Sequence, residues 1–450
     1  MKPRAACTLF VAATQAILVW TGLPCSRAHA QLRILDYNVG LSDPASPNPR
    51  PGTSSLLQAI NAQTRAGFAR NIDVFTMQEA NATSTTGQAF ADLLNTITGG
   101  TSYVTTTLDG NTTGSGRPLA VYNSATVMLI SQTAIGVTSS TGQPRQTLRY
   151  QFRPVGYEST ADFYVYDSHF KAANDTTSAD RRNVEAQAIR TNADALGASA
   201  NLIYAGDMNL YTASEPAFQT LTAPGNGQAF DPINQVGDWS NNSAFKPYQT
   251  QSPATTAVYP GQVTGGMDDR FDFQLVSNAV MTPGGFTYLA GTYRTFGNNG
   301  SVPRNGSIND TRSTALPGLA NRTQVLDLLT TVSDHLPVVA DYSYATVSTT
   351  TPAITVSTST LAQALSTTYG TASTSATFTV AGTGLTGSLT LSAPTGLELS
   401  TSSGSGYATT LTLSPSAGSV PATTVYVRLA ATAAVGTYDR RSITIAGGGA

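Results

Sequence analysis

Apolar and polar residues alternate in short runs along most of this chain, and the runs break into loops at polar residues. Residues 32–39 (Leu-Arg-Ile-Leu-Asp-Tyr-Asn-Val) read as a strand, with Asp36 and Asn38 on the face of Ile34. Residues 72–79 read as a second buried strand that closes on Glu79. More strands are predicted near 120–130, over 147–153 and over 162–169, the last ending Asp167-Ser168-His169. The run 201–205 leads directly into Gly206-Asp207-Met208-Asn209. Residues 270–277 form another run, and Val338 to Tyr342 reads as a strand after Ser333-Asp334-His335-Leu336-Pro337. Helical spacing is predicted over 54–70, with Leu57, Ile60 and Phe68 on the apolar side. A second helix is predicted over 179–196, capped by Thr177, with Asp180 at its third position and Val184, Ile189, Ala193 and Leu196 facing inward. Residues 210–265 read as loop with short helices, and 283–323 as a long Gly/Asn/Arg-rich excursion of the kind that is usually functional or mobile.

The pattern changes near residue 346. Residues 346–352 are a Thr/Ser/Pro linker, and 353–450 carry seven short alternating runs separated by turn residues. The runs fall at about 354–358, 375–381, 388–391, 397–400, 409–413, 424–430 and 441–446. They predict a small all-β sandwich of immunoglobulin-like type. This part has no histidine and only two acids, Glu398 and Asp439, so no site is assigned to it.

Composition adds a compartment. Only 11% of residues are charged and 40% are hydrophobic, a balance of secreted, strand-rich proteins rather than of disordered or cytosolic helical ones. The length of 450 residues allows two or three domains. Residues 1–30 read as an export signal: Lys2 and Arg4, an apolar core from Leu9 to Leu23, then Ala28-His29-Ala30 before Gln31. That core is too short and polar for a comfortable membrane span. Cys7 and Cys25 both lie in it, so the mature chain would have no thiol, no disulfide-linked partner and no cysteine zinc site. Removing Lys2, Arg4 and Arg27 from the 24 basic residues leaves 21 against 26 acidic, a net of −5. A mildly acidic protein has no global pull on nucleic acid, so phosphate binding must be local or carried by a metal.

The chain has three histidines, His29, His169 and His335, and the mature part would keep two. Taken singly, each polar strand end has a plain structural explanation. Gly206-Asp207 and Asn209 are turn formers, Glu79 is a surface acid, and Asn38 is an edge or satisfied core amide. Taken together, Asn38, Glu79, His169, Asp207, Asn209, Asp272, Asp334 and His335 all sit where a core strand breaks, and the edges of layered α/β proteins gather active sites there. Asp207 and Asn209 point the same way on an extended segment. Asp334 and His335, being adjacent on an extended segment, point opposite ways, so Asp334 is not expected to be the partner of His335.

The string Tyr37-Asn38, Gln78-Glu79, Ser168-His169, Gly206-Asp207-Met208-Asn209, Arg270-Phe271-Asp272 and Ser333-Asp334-His335-Leu336-Pro337 resembles the endonuclease/exonuclease/phosphatase superfamily over residues 31–345. The resemblance implies a mixed α/β fold, two β-sheets stacked as a sandwich and flanked by helices, with the site at one edge. It implies that Glu79 ligates a divalent cation, Asn38 and Asp334 completing the shell. Oxygen ligands suit Mg²⁺ or Mn²⁺, with Ca²⁺ also admissible. Asp207 and Asn209 would orient or deprotonate the attacking water, and His335 would contact the scissile phosphate. Asp272 would fix the tautomer of His335. His169 would act as general acid or phosphate ligand. Lys171, two residues on, would bind phosphate, as would Arg145, one of a scattered set with Arg117, Arg149 and Arg153.

Two features depart from the pattern. Asp36 is a charge where relatives carry a small or apolar residue, and the Trp-Thr-Asp-Arg run of inositol phosphatases is missing before Asp272. The resulting expectation is a secreted, metal-dependent phosphodiesterase, a nuclease on DNA or RNA. The alternatives are a phosphatase or sphingomyelinase-like phospholipase of the same superfamily, or a non-catalytic surface binding protein. For the C-terminal part, binding to a polymer or to the cell envelope stays open.

Overall fold

The structure is a computed structural model, and it describes residues 5–7, 9–11, 31–43, 48–110, 115–137, 144–283, 285–344, 352–361, 363–385, 387–415, 419–438 and 440–450. Most of the stretch read as an export signal, and all of the linker but Pro352, lie outside the described residues. The chain divides into two compact units, Ser26–Thr346 and a second made of Met1–Cys25 with Val347–Ala450.

The larger unit contains, in chain order, β1 (Gln31–Asn38), α1 (Thr53–Asn61), β2 (Val74–Ala80), α2 (Gln88–Thr98), β3 (Tyr103–Thr105), β4 (Arg117–Asn123), β5 (Val127–Ile135), β6 (Thr147–Pro154), β7 (Phe163–His169) and α3 (Thr176–Leu196). It continues with β8 (Asn201–Asp207), α4 (Pro216–Thr222), β9 (Ala229–Phe230), β10 (Asp272–Ser277), β11 (Phe286–Tyr288), β12 (Arg294–Thr295), α5 (Arg322–Val332) and β13 (Val338–Tyr344). One sheet runs β9-β10-β8-β7-β6-β5, the other β11-β13-β1-β2-β4-β3, with β12 also on β13.

Strand alternation builds the layers. Ile34, Val74, Leu148, Phe163, Val165, Ile203, Val276, Val338 and Tyr342 come from both sheets and share one core between them. The residues next along the strands face outward. Leu35, Tyr37, Phe75 and Met77 pack under α1, α2 and α5 through Leu56, Ile60, Phe90, Leu94, Val325 and Leu329. Tyr166, Tyr204, Phe273 and Leu275 pack under α3 and α4 through Ile189, Ala193, Phe218 and Leu221. The two-sheet sandwich flanked by helices that the resemblance implied is therefore present.

Several boundaries differ from the expectation. The helix predicted over 54–70 stops at Asn61, because Ala66 and Gly67 turn the chain at φ 47° and 83° into a hairpin of Thr64–Arg65 and Phe68–Ala69. The cap of α3 is Asp175, whose side chain accepts from the Ser178 amide, rather than Thr177. Val184 is exposed, while Arg182, Glu185 and Ala186 join Ile189 and Ala193 on the buried side.

The motif residue Arg270 is structural. It is fully buried, donates to both oxygens of Asp231 at 2.9 and 3.0 Å, and lies 4.4 Å over the Phe273 ring. Breaking such a pair from one side strands a buried charge, so Arg270→Leu should destabilise the fold by about 3–5 kcal/mol. Urea unfolding of the purified variant measures this directly; an unchanged midpoint would contradict it.

In the second unit each of the seven predicted runs is a strand, and Leu365–Thr367 adds one that the alternation did not mark. Two four-stranded sheets enclose Phe378, Val380, Leu389, Leu391, Leu399, Val425, Val427, Ile443 and Ile445. Ala5–Cys7 pairs with Leu365–Thr367, and Leu9–Val11 with Arg441–Ile443. These two strands belong to the stretch read as an export signal. Among the described residues no helix is long and apolar enough to cross a membrane.

Candidate active site

The polar strand ends meet at one edge of the two-sheet sandwich. Parallel pairing sets His169 beside Asp207, and antiparallel pairing sets Asp207 beside Asp272, so three of the expected residues occupy neighbouring positions of one sheet. Gly206 makes the first of these pairings possible. Its φ is 131°, and a Cβ there would stand 1.9 Å from the Ser168 carbonyl oxygen. The other sheet supplies Asn38 and Glu79 from adjacent strands.

Glu79 reaches the site through a break in the strand. Plain alternation would turn it away from Gln78, but the β2–β4 pairing carries an irregularity between Met77 and Ala80, and Glu79 sits at φ 56°. Gly116 accommodates this, since a Cβ there would meet the Glu79 Cα at 2.4 Å. Asn209 is also left-handed, at φ 47°. Both residues are held in this region by their surroundings, at a cost for Glu79 that its neighbours offset.

Asp207 is the centre. Its Oδ2 accepts from the Asn38 amide at 3.1 Å, its Oδ1 from the Asn209 backbone N–H at 3.1 Å. Asp207 Oδ2 lies 3.6 Å from His169 Nε2 and 3.7 Å from His335 Nε2. Asn38 Nδ2 also donates to Glu79 Oε1 at 3.1 Å, and that oxygen lies 3.7 Å from His169 Nε2. His335 Nδ1 meets Asp272 Oδ2 at 2.8 Å. The carboxylate of Asp334 turns elsewhere, its Oδ2 accepting from the Val263 N–H at 2.9 Å. Asp272, not the adjacent Asp334, is thus the partner of the His335 ring, as alternation and the resemblance together led one to expect.

The two histidines differ in charge. Burial alone would depress both. For His335 the Asp272 and Asp207 carboxylates overcome it and hold the ring well above its ordinary value, so it is charged. For His169 burial, then Arg145 and the charged His335, push it well below, so it is neutral. The surroundings thus favour the charged form of His335 and the neutral form of His169. Burial, with Asp272 and Glu79 nearby, raises Asp207 to about 7 even though His335 and Asn38 oppose it. Burial and Asp334 likewise raise Glu79. A strong test of the His335–Asp272 pair is Asp272→Asn. The raised ring loses its proton only well above 6.5, so the alkaline limb of the kcat–pH profile should fall by about 1–3 pH units in the variant. An unmoved limb would contradict the pairing.

The carboxylates raise one another, and the hydrogen-bond partners of Glu79 are the neutral Asn38 and Ser42, the latter at 3.5 Å. A cavity of about 210 Å³ opens beside Glu79, lined by the oxygens of Ser42, Asp43 and Asp334 and also by Arg50 and Tyr259. These hard oxygen donors fit a divalent cation. Among the described residues, ligand atoms lie within 4.8 Å of one another in two groups, Glu79 with His169 and Asp207, and Asp207 with Asp272 and His335. Asp334, expected as a ligand, shares the cavity but stands outside both groupings.

Lys171 and Arg145 are placed differently from the expectation. Lys171 Nζ donates to the Ala172 carbonyl at 2.7 Å. Arg145 is buried and donates from Nη1 to the carbonyls of His169 and Phe170, at 3.3 and 2.7 Å. Both brace the segment after β7. Gln251 is the site residue that alternation missed: its side-chain amide lies 2.7 Å from His335 Nε2, and with the ring charged it is the amide oxygen that faces and accepts from that N–H. It arrives across the loop region 210–265, where no periodicity marks it.

No family model matches the chain, and no curated protein matches it. Solved structures align with it over 70% of its length. One is a D. rerio TDP2 complexed with a single-strand DNA product, 17% identical, 99% covered, TM-score 0.43. Another is the human Nocturnin catalytic domain with a bound sulfate anion, 15% identical, 96% covered, TM-score 0.41. A third is an endonuclease/exonuclease/phosphatase family protein from Bacteroides thetaiotaomicron, 14% identical, 98% covered, TM-score 0.41. At these identities and scores none of the likenesses carries a function across.

Proposed function

We propose that this chain is a secreted, metal-assisted phosphoester hydrolase of the endonuclease/exonuclease/phosphatase superfamily, acting on nucleic acid. One observation carries the reading: His335, bonded to Asp272 through Nδ1, sets its Nε2 3.7 Å from the buried carboxylate of Asp207, next to Glu79 and the cavity that Glu79 lines with Asp43 and Asp334. Phosphodiester hydrolysis needs a positioned water, a base to take its proton and positive charge on the phosphoryl oxygens. Asp207 takes the proton, with the Asn38 amide and the Asn209 backbone fixing its carboxylate. His335 presents N–H to a phosphoryl oxygen while Asp272 holds the ring. Glu79 and Asp334, with Asn38 beside them, would hold a cation that neutralises phosphate charge. Mg²⁺ or Mn²⁺ fits these donors, and Ca²⁺ is admissible.

The nucleic-acid assignment rests on the sequence pattern, which has two histidines and no inositide-type motif. Purified protein should cleave plasmid DNA or RNA when Mg²⁺, Mn²⁺ or Ca²⁺ is added and stop when EDTA is added. Cleavage of sphingomyelin with no cleavage of either nucleic acid would overturn the nuclease assignment but keep the hydrolase. Secretion predicts a mature N-terminus at Gln31. Recovery of the exported protein with Met1 or Lys2 at its N-terminus would contradict it, and would keep the strands Ala5–Cys7 and Leu9–Val11.

A further inference from the structure

The layer between the two sheets is graded along its length. At the far end it is apolar, with Ile34, Val74, Val165, Ile203 and Val276. At the site end stand Asn38, Gln78, His169, Asp207 and Asp272. Between them, one strand step below the site, lie Asp36, Thr76, Asp167 and Gln274, all fully buried. This middle level ties one sheet to the other. Gln274 of the β10 sheet donates to the carbonyls of Ile34 and Val338 in the opposite sheet, at 3.2 and 2.9 Å. Gln78 Nε2 donates to Asp36 Oδ1 at 2.9 Å within its own sheet and to Asp167 Oδ1 at 2.7 Å in the other. Thr76 Oγ1 adds a bond to Asp36 Oδ1 at 2.7 Å.

Two carboxyl groups in a dry sheet interface, without a cationic partner in these bonds, are costly to keep. Packing alone would be served better by apolar residues. Their place explains them. Asp36 precedes Asn38 by two residues, Asp167 precedes His169 by two, and Gln78 is joined to Glu79. We propose that Asp36 and Asp167 are positioning residues: through Gln78 they clamp β1, β2 and β7 together and fix Asn38, Glu79 and His169 relative to one another across the two sheets. The inference rests on the hydrolase reading for its kinetic part. The second oxygen of each carboxyl accepts no hydrogen bond, so an asparagine at either position keeps the clamp's contacts while an alanine breaks them.

The test compares Asp36→Ala, Asp167→Ala, the double variant, and Asp36→Asn and Asp167→Asn in the full chain. Misplacing reacting groups by about 1 Å costs about 10²-fold in rate, so each alanine variant should lose roughly 10- to 100-fold in kcat with KM nearly unchanged. The double variant should be no worse than the weaker single one, because the two act through one amide. Each asparagine variant should keep at least about half of wild-type kcat. Mn²⁺ binding, read by electron paramagnetic resonance, should weaken several-fold in the alanine variants and recover in the asparagine ones, because Asn38 and Glu79 shift only in the former. Losses that add in the double variant, or a change in KM with kcat intact, overturn the clamp. If an alanine variant does not fold, the asparagine variants decide: a loss of about tenfold or more in either overturns it. If the wild type hydrolyses no phosphoester, the functional reading fails, and Mn²⁺ binding tests the clamp by itself.

Discussion

His335→Ala should lower kcat by about 10³-fold or more, with little change in KM. The ring is buried, bonded to Asp272 at Nδ1, and faces Asp207 and Gln251 at Nε2. A group so placed is committed on one side and presented on the other, which is the arrangement of a proton donor or oxyanion contact rather than of a core filler. Its charge is sustained by two carboxylates against burial. Removing it takes away positive charge that matters most when charge builds on the phosphoryl oxygens, so the loss falls on kcat. It also removes the neighbour that most opposes the rise of Asp207, so the remaining acid limb of the rate profile should move to higher pH. Steady-state kinetics between pH 5 and 9 would settle both points. Full activity in the variant would remove His335 from the chemistry.

Asp207→Asn has the second large effect, and it should separate activity from stability. The amide keeps the shape but has one acceptor oxygen where Asp207 has two, so it can accept from Asn38 or from Asn209 and not from both, and it cannot take a proton. A loss of about 10²- to 10⁴-fold in kcat is expected for a general base. The effect on stability should depend on pH. An acid whose folded pKa is raised from 3.8 to about 7 makes the fold less stable above its unfolded pKa, and that cost fades as pH falls toward 4. A neutral isostere removes the cost at pH 7. The melting temperature of the variant relative to wild type should therefore be more favourable at pH 7 than near pH 4, whatever the fixed cost of the acceptor it loses. A difference that does not change between those pH values would contradict the raised Asp207.

Much of this site was legible in the sequence, for a physical reason. Alternation places every second residue of a strand on one face, so Ile34-Asp36-Asn38 and Val165-Asp167-His169 could be read as lines running toward one edge. The same rule separated Asp334 from His335, while Asp272 came from the resemblance to the superfamily's motifs. What was not legible depends on breaks in that rule. Glu79 aims into the site because of a strand irregularity and a left-handed φ, with Gly116 making room, and nothing in the local pattern fixes that. Gln251 approaches from a loop without periodicity. Lys171 and Arg145 had the right charge and the right neighbourhood, but their bonds go to nearby carbonyls, a choice made by packing.

The fold divides along the same line. Core strands were visible because both faces are covered and the runs are apolar. Two of the longer helices were not predicted. α2 carries Gln88, Asp92 and Asn95 among its apolar residues and follows a helical turn over Thr83–Gly87 without a side-chain cap. α5 starts at Asn321, which makes no capping side-chain bond, at the end of a Gly/Asn/Arg-rich stretch. Their stability comes from Phe90, Leu94, Val325 and Leu329 packing on the sheet, a tertiary term that local signals do not carry. Asp36 was visible as an oddity and only the structure gives it neighbours.

The most direct check on the central claim is the rate of plasmid relaxation by the wild-type protein, Asp207→Asn and His335→Ala, side by side with Mn²⁺ or Mg²⁺ at neutral pH. The site described here predicts relaxation by the wild type, its abolition by EDTA, and rates at least about 10²-fold lower in both variants. Intact plasmid with every cation, or variants that match the wild type, would contradict it.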